Sequence, residues 1–560
     1  MPRAHPHRTT HLSRPSLLVA SGVLLLIAGG PLLAATVNIR LIDEKTGKPT
    51  PAMICITDIP HPHNSRLPGV RLPPDGQVCE GPSLTKAFYK GIDFDPDRNW
   101  VGPVRMMLGK GDNNDRSYVY EERPSIPWWP APMMYQVSGD FTIELPPGRY
   151  QLAISHGMEY KPISTTIHIT DADPSPIYEY VLMRWINLPA KGWWSGDVHV
   201  HHPLLTKAHQ EYLLSYAQAA DLHVVNLLEM GHHEGTDFKQ RAFGPEARVQ
   251  RGDYALVAGQ EEPRSQYGHI IGLNISALVR DLSTYDFYDI AFAGIHRQPD
   301  ALVGFAHFSW NGCALPRGFP WYVTTEELDF IELMQFGLIN EADYYDYLNL
   351  GFRLTAAAGS DIPWGSQLGE VRTFVHTGEK FDVDAWFANL RAGHTFVSNG
   401  PVLLLTVNDK LPGTEFEFKA GDTARITAKL LSDPSIGLPA SLRVVGNDGV
   451  IREIKGDGEA ASLEVTFEHE ISRSCWIAVA GECENGARAH TSPVYIRVSQ
   501  APWWSATQAP RIIAKQLELI AVIDGEVAGK DDDHSKGVAT RLARAKSFYA
   551  ELQQAIQESR

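Results

Sequence analysis

A chain of 560 residues is too long to bury itself around a single hydrophobic core, so about three domains are expected. Hydrophobic residues make up 43% and charged residues 21%, an ordinary globular balance that excludes extended disorder. The formal charge of −16 argues against a nucleic-acid partner, because phosphate binding needs a basic surface.

In chain order, Arg3, Arg8 and Arg14 precede an apolar run from Leu17 to Ala28, and small residues follow at Ala34 and Ala35. This is the pattern of a secretory signal, with residues 1–35 as the signal peptide and cleavage near Ala35. The run is short for a membrane span and lacks a stop-transfer pattern, so no stable membrane insertion is expected after cleavage. The mature protein is then periplasmic or secreted. An oxidising compartment makes the five cysteines candidates for pairing, Cys55 with Cys79 and Cys475 with Cys483. Cys313 is left as a buried thiol.

Residues 36–186 read as a β-sandwich domain. TVNIRLID is an alternating strand, DFTIELPPGRYQLAIS is two strands joined by a Pro-Pro-Gly turn, and STTIHIT is another. A long irregular stretch from Thr85 to Pro132 lies within it. From Leu188 strands alternate with helices. GDVHVHH, DLHVVNLL, YALVAGQE, HIIGLNI, ALVGFAHF and RLTAAAGS read as strands, and HQEYLLSYAQAA, DFYDIAFAGIHRQ, EADYYDYLNLGF and VDAWFANLRAG as helices. Such alternation over residues 187–400 means a β/α barrel or open sheet. Residues 401–500 return to strands (TARITAKLL, SLRVVG, ASLEVTFEH, CWIAVAG), a second sandwich. Residues 501–560 carry two helical stretches, separated by the polar run Gly529 to Gly537, that are expected to pack back on the body.

The stretch Gly196-Asp197-Val198-His199-Val200-His201 carries the most chemistry. Side chains alternate along a strand, so Asp197, His199 and His201 would share one face, and two imidazoles there chelate a divalent metal. Further ligand-type residues stand at the ends of other strands: Glu261 and His269 in GQEEPRSQYGHIIGL, His307 in LVGFAHFSW, and Asp361 in RLTAAAGSD. Strand ends are where β/α barrels place their chemistry. The chain has no G-x-S-x-G elbow, H-E-x-x-H, Walker loop or dinucleotide fingerprint. Trp193, Trp194, Trp310, Trp321, Tyr322 and Trp364 either line an apolar pocket or pack the barrel against its neighbours. Arg264, Arg317 and Glu332 are candidates to touch substrate.

Taken together, GDVHVHH, GQE followed by GH, AH and GSD resemble the motifs of the polymerase-and-histidinol-phosphatase (PHP) metallohydrolases. The flanking text (DLHVVNLL, LRAGHTFVSNGPVLLLTVND, ARAHTSPVYIRV) resembles more narrowly the carbaryl-hydrolase-like branch, known as CehA/McbA, over roughly residues 187 to 498. The resemblance implies an α/β fold: a distorted PHP-type β/α barrel flanked by two β-sandwich domains and followed by a helical tail. It implies that His199, His201, Glu261 and Asp361 hold one ion, and Glu261, His269 and His307 a second, with Glu261 bridging. Glu261 is preferred to Glu262 because the family pattern reads Gly-x-Glu. Glu261, Asp361 and His199 are the ligands expected to matter most for catalysis. The implied cofactors are two divalent ions, zinc, manganese or iron, since mixed imidazole and carboxylate shells suit all of them.

Two departures from the family pattern bear on metal number. Three-metal members have a histidine after the second strand and end the last motif as Asp-x-His. Here the second strand runs Asn226-Leu227-Leu228-Glu229-Met230-Gly231, and Pro363 follows Asp361-Ile362. Both missing residues would bind the same third ion, so a dinuclear site is expected unless His202, His209, His232 or His233 restores it. The expected function is hydrolysis of a carbamate, ester or amide bond in a small-molecule substrate by a metal-bridging hydroxide. The alternatives are a metal-dependent phosphoesterase and a non-catalytic metal-containing binding protein. A homo-oligomer is left open.

Overall fold

The computed structural model describes residues 35–57, 135–145, 147–309, 315–362 and 368–558. The leader expected at residues 1–35 (apart from Ala35), the stretch from Thr85 to Pro132, Cys79, Cys313, Trp310, Pro363 and Trp364 lie outside the described residues, as does the Cys55 side chain. The fold is mixed α/β, with more strand than helix.

The first strands are β1 (Ala35–Asp43), β2 (Ala52–Thr57), β3 (Tyr135–Val137), β4 (Asp140–Leu145), β5 (Gly148–Ser155), β6 (Ile163–Ile169) and β7 (Ile177–Leu182). They form two sheets, ordered β4-β1-β7 and β3-β2-β5-β6. Along β1 inward residues alternate with outward ones, and Val37, Ile39 and Leu41 meet Ile54, Tyr150, Leu152 and Ile167 of the other sheet in one core. The two strands expected on either side of Pro-Pro-Gly are present, but they do not pair with each other. β4 pairs with β1, and β5 with β2 and β6, so consecutive strands lie in different sheets. Burying both apolar faces against each other outweighs pairing adjacent strands.

The middle of the chain runs β8 (Trp193–Val200), α1 (Lys207–Ala219), β9 (Val224–His232), β10 (Gly235–Asp237), β11 (Val249–Arg251), β12 (Tyr254–Ser265), β13 (Gly268–Leu273), α2 (Tyr288–His296) and β14 (Leu302–Phe305). It continues through α3 (Phe319–Tyr322), β15 (Phe330–Gln335), β16 (Leu338–Ile339), α4 (Glu341–Asn349), β17 (Thr355–Ala358), β18 (Arg372–His376), α5 (Val383–Ala392) and β19 (Thr395–Ser398). Strands β8, β9 and β12 are parallel neighbours, β13 lies antiparallel between β12 and β14, and β14, β15 and β17 are parallel again. Beyond β17, Asp361 N–H donates to His199 O and His201 N–H to Ile362 O, both at 2.7 Å. The series therefore returns to β8, where it began. Every residue of β8, β13, β14, β15 and β17 is buried, as strands covered on both faces must be.

The helices follow local chemistry. The Thr206 hydroxyl caps α1 by accepting His209 N–H at 3.2 Å. Asp382 caps α5 by accepting Ala385 N–H at 2.8 Å, and Gly393 ends it at φ 82°. β15, absent from the expected elements, is the strand that carries Glu332 and Gln335.

The remaining strands are β20 (Val402–Val407), β21 (Glu415–Phe418), β22 (Asp422–Leu431), β23 (Pro439–Gly446), β24 (Gly449–Lys455), β25 (Ser462–Ile471), β26 (Cys475–Cys483), β27 (Arg488–Thr491) and β28 (Val494–Val498). A three-stranded sheet β20-β22-β25 packs on β23, β26 and β28 through Leu403, Ile426, Leu430, Val444, Val479 and Ile496. β27 pairs with β19, so hydrogen bonds run from this region into the site-bearing sheet. Cys475 and Cys483 are free thiols at opposite ends of β26, which corrects the expected disulfide. Eight residues of extended chain hold them about 26 Å apart, far beyond disulfide reach.

The tail forms α6 (Ala509–Val527) and α7 (Asp533–Glu558), the second starting inside the polar run because Asp532 caps it through Ser535 N–H at 2.8 Å. Both bury Ile512, Ile520, Leu542 and Tyr549 against Phe319, Trp321 and Tyr347 of the middle region. Trp193, Trp194, Trp321 and Tyr322 are all buried in core clusters, so these aromatics pack the molecule. No helix among the described residues is long and apolar enough to cross a membrane.

Candidate metal centre

Six side chains converge where strands of the middle region end. His199 and His201 come from β8, Glu261 from β12, His269 from β13, His307 from just beyond β14, and Asp361 from just beyond β17. All are buried, from 0% exposed for His199 and His201 to 9% for His269. His307 and Asp361 have left-handed backbones, with φ 60° and 52°. A non-glycine residue held there costs of order 1–3 kcal/mol, a strain that clusters at functional sites. Gly359 is required by close approach, since a Cβ there would lie 2.4 Å from His199 Cβ and from Glu332 Oε1.

The donor atoms are spaced as the ligands of metal ions. His199 Nε2 lies 3.0 Å from His201 Nε2 and 3.3 Å from Asp361 Oδ1, and His201 Nε2 lies 3.4 Å from Asp361 Oδ1. Glu261 Oε1 is 3.5 Å from His199 Nε2, and its Oε2 is 3.4 Å from His201 Nε2. On the other side His269 Nδ1 stands 2.7 Å from Glu261 Oε1 and 2.9 Å from His307 Nε2, which is 3.2 Å from the same Glu261 oxygen. Bonds of about 2.0–2.2 Å place neighbouring ligands roughly 3.3–3.6 Å apart in a tetrahedron and about 2.8–3.1 Å apart in an octahedron. His199, His201 and Asp361 form one group with all donor atoms within 4.8 Å, and His199, Glu261 and His307 another. His199 thus belongs to both groups.

The outer ring nitrogens explain why the inner ones converge. His199 Nδ1 faces Glu332 Oε1 at 2.9 Å, His201 Nδ1 faces the Leu228 carbonyl at 3.1 Å, and His307 Nδ1 faces Gln335 Oε1 at 2.9 Å. Each outer acceptor fixes the proton on Nδ1 and leaves an Nε2 lone pair aimed inward. Lone pairs 3.0 Å from one another and beside carboxylates repel unless a proton on His199 or a metal cation lies between them. Glu261 Oε2 is buried and accepts no hydrogen bond. Arg264 Nε is 2.7 Å from it, but the N–H points to His269 Nδ1 at 3.4 Å, so that contact is one of charge alone.

The electrostatics show the same demand for positive charge. Burial opposes a charged His199, yet Asp361, Glu332 and Glu261 together raise its pKa well above the ordinary value. Burial would raise the Glu261 carboxyl, but Arg264, His269 and His199 hold it well below the usual carboxylate range. Burial takes His269 down to about 4 against the pull of Glu261, leaving it neutral and fit to ligate.

Some expectations land elsewhere. Asp197 is not beside the donor atoms: it accepts the backbone N–H of His199 (3.1 Å), Ser360 (3.0 Å) and Gly369 (3.1 Å). The β8–β9 register shifts between Asp197 and Val200, which breaks the simple alternation, and Asp197 instead fastens the segment carrying Asp361 to β8. Glu262 turns away from Glu261 and pairs with Arg280. Glu332 is fully buried behind the ligands, and Arg317 pairs with Glu526 on α6. Arg264, 22% exposed, is the one of these three candidates that borders both the cluster and solvent. Among the described residues, His202, His209, His232 and His233 join neither group. His202 packs on Tyr212 and His209, His232 faces Asp237, and His233 lies against Tyr285.

Sequence reasoning missed Glu332 and Gln335 as holders of the ligands, and Phe238, whose ring centroid lies 5.3 Å from that of His201. A glutamate inside the apolar run Phe330-Ile331-Glu332-Leu333-Met334 was the available signal, since a buried carboxylate needs a partner. The chain matches no family model and no curated protein.

Proposed function

We propose that the protein is a metal-dependent hydrolase with a dinuclear centre in a distorted barrel of the PHP type, acting on a carbamate, ester or amide bond. One observation carries the reading. Three histidines have their outer nitrogens fixed by Glu332, Leu228 O and Gln335, so that their inner lone pairs meet at Glu261 and Asp361. His199, His201 and Asp361 would hold one ion and Glu261, His269 and His307 the other, with Glu261 and His199 close to both. Ions bound there would lower the pKa of water and stabilise negative charge developing on the substrate.

The chain's own residues supply the rest. Glu332 and Gln335 orient imidazoles, Asp197 anchors the Asp361 segment, and the buried strands keep bulk water from the donor atoms. The strand series returning to β8 supports the barrel reading, and the two-sheet packing on either side supports the flanking sandwiches. An exported location is part of the proposal and rests on the Arg-led apolar leader and Ala34-Ala35.

The test is turnover of activated aryl carbamates and esters by metal-loaded protein. Activity should be abolished by chelation and restored by zinc or manganese. His199→Ala, Glu261→Ala and Asp361→Ala should each lose several orders of magnitude while remaining folded. Phosphomonoester turnover well above carbonyl turnover would replace the bond class. No turnover of either class by fully loaded protein would leave a binding protein.

A further inference from the structure

Arg264 stands between the ligand cluster and solvent. Its Nε lies 2.7 Å from Glu261 Oε2 and directs its N–H at His269 Nδ1, 3.4 Å away, while Nη1 is 3.5 Å from Gly231 O. Its backbone N–H donates to Tyr285 Oη at 3.2 Å, which fixes the chain at the end of β12. The two atoms that the guanidinium addresses are ones that bound cations would claim. It would then keep only the long contact to Gly231 O.

Charge makes that arrangement informative. Glu261 and Asp361 lie among the donor atoms and Glu332 stands behind His199, so three carboxylates face the cluster. Together with a metal-bound hydroxide they would balance two divalent ions, and Arg264 then leaves one positive charge in surplus. Like charges repel strongly in a buried site, so a guanidinium held there needs an anion between it and the ions. Its planar fork suits a carboxylate or a phosphate oxygen pair, and a neutral carbonyl meets that need poorly.

We propose that Arg264 is the substrate-anchoring residue of this centre and that the substrate carries an anionic oxygen group, carboxylate or phosphate, next to the bond that is cut. The proposal rests on the metallohydrolase reading. The competing role for Arg264 is to hold Glu261 in place.

The experiment titrates metal-loaded protein with inorganic phosphate and, separately, with acetate by calorimetry, with metal content measured on the same samples. Wild type, Arg264→Lys and Arg264→Met are compared. The expected result is an anion affinity at least tenfold weaker in Arg264→Met, with metal content unchanged and partial recovery in Arg264→Lys. Loss confined to phosphate assigns the group as phosphate, and loss confined to acetate as carboxylate. Equal anion affinity in Arg264→Met, no anion binding by loaded wild type, or loss of metal from both variants would overturn the proposal. Wild type that takes up no metal would instead remove the metallohydrolase reading beneath it.

Discussion

The Glu332 carboxylate stands 2.9 Å from His199 Nδ1, on the side of the imidazole away from the donor cluster. Its second oxygen accepts the backbone N–H of His307 at 2.7 Å, so one buried residue positions ligands from two strands. The Glu332→Gln variant, able to keep only part of this, should weaken metal affinity about 10- to 100-fold. A competition titration against a chromophoric chelator measures it. Affinity equal to wild type would show that Glu332 positions nothing.

Protons and metal compete for His199. Its folded pKa is raised above the unfolded value of about 6.5, so metal-free protein gains stability from this group below that pH. That contribution is lost as pH rises through the folded value, while deprotonated imidazoles bind metal better. The rise in Tm caused by saturating metal should therefore be larger at pH 8 than at pH 6. An equal or smaller rise at pH 8, read by calorimetry, would contradict the assignment.

A second buried charge cluster lies away from the metal centre and ties the first strands to the middle region. Arg184 pairs with Glu159 at 2.7 Å and Asp221 at 2.8 Å, and lies over the Tyr160 ring at 4.3 Å. Burial and Asp221 raise the Glu159 carboxyl to about 7 despite Arg184. Arg184→Met removes the guanidinium that contacts both carboxylates, leaving only the more distant charge of Arg372, and should cost about 3 kcal/mol. The loss should be smaller at pH 6 than at pH 8, because protonating Glu159 removes one of the stranded charges. Denaturant unfolding at the two pH values is the check, and an equal deficit at both would refute it.

Much of the centre was legible because metal ligands are few residue types at strand ends. His199, His201, Glu261, His269, His307 and Asp361 all stand within ligand distance of a neighbour in the cluster. What holds them was less legible. β15 is a short buried strand whose apolar run has no period, so neither it nor Glu332 could be separated from a helix turn or core segment. Asp197 sat in the most informative motif, yet its role depends on amides of Ser360 and Gly369, far away in the chain. Strands β4 and β5 were legible as strands, but that they pair in different sheets was not, because sheet-to-sheet burial decides the pairing.

The central claim is that this cluster binds two divalent ions. Elemental analysis of full-length protein, expressed with supplemented zinc or manganese and purified without chelator, tests it directly. The account predicts about two first-row ions per chain in wild type, with His199→Ala well below that because His199 belongs to both groups. Wild type carrying no tightly held metal, or three ions per chain, would contradict it.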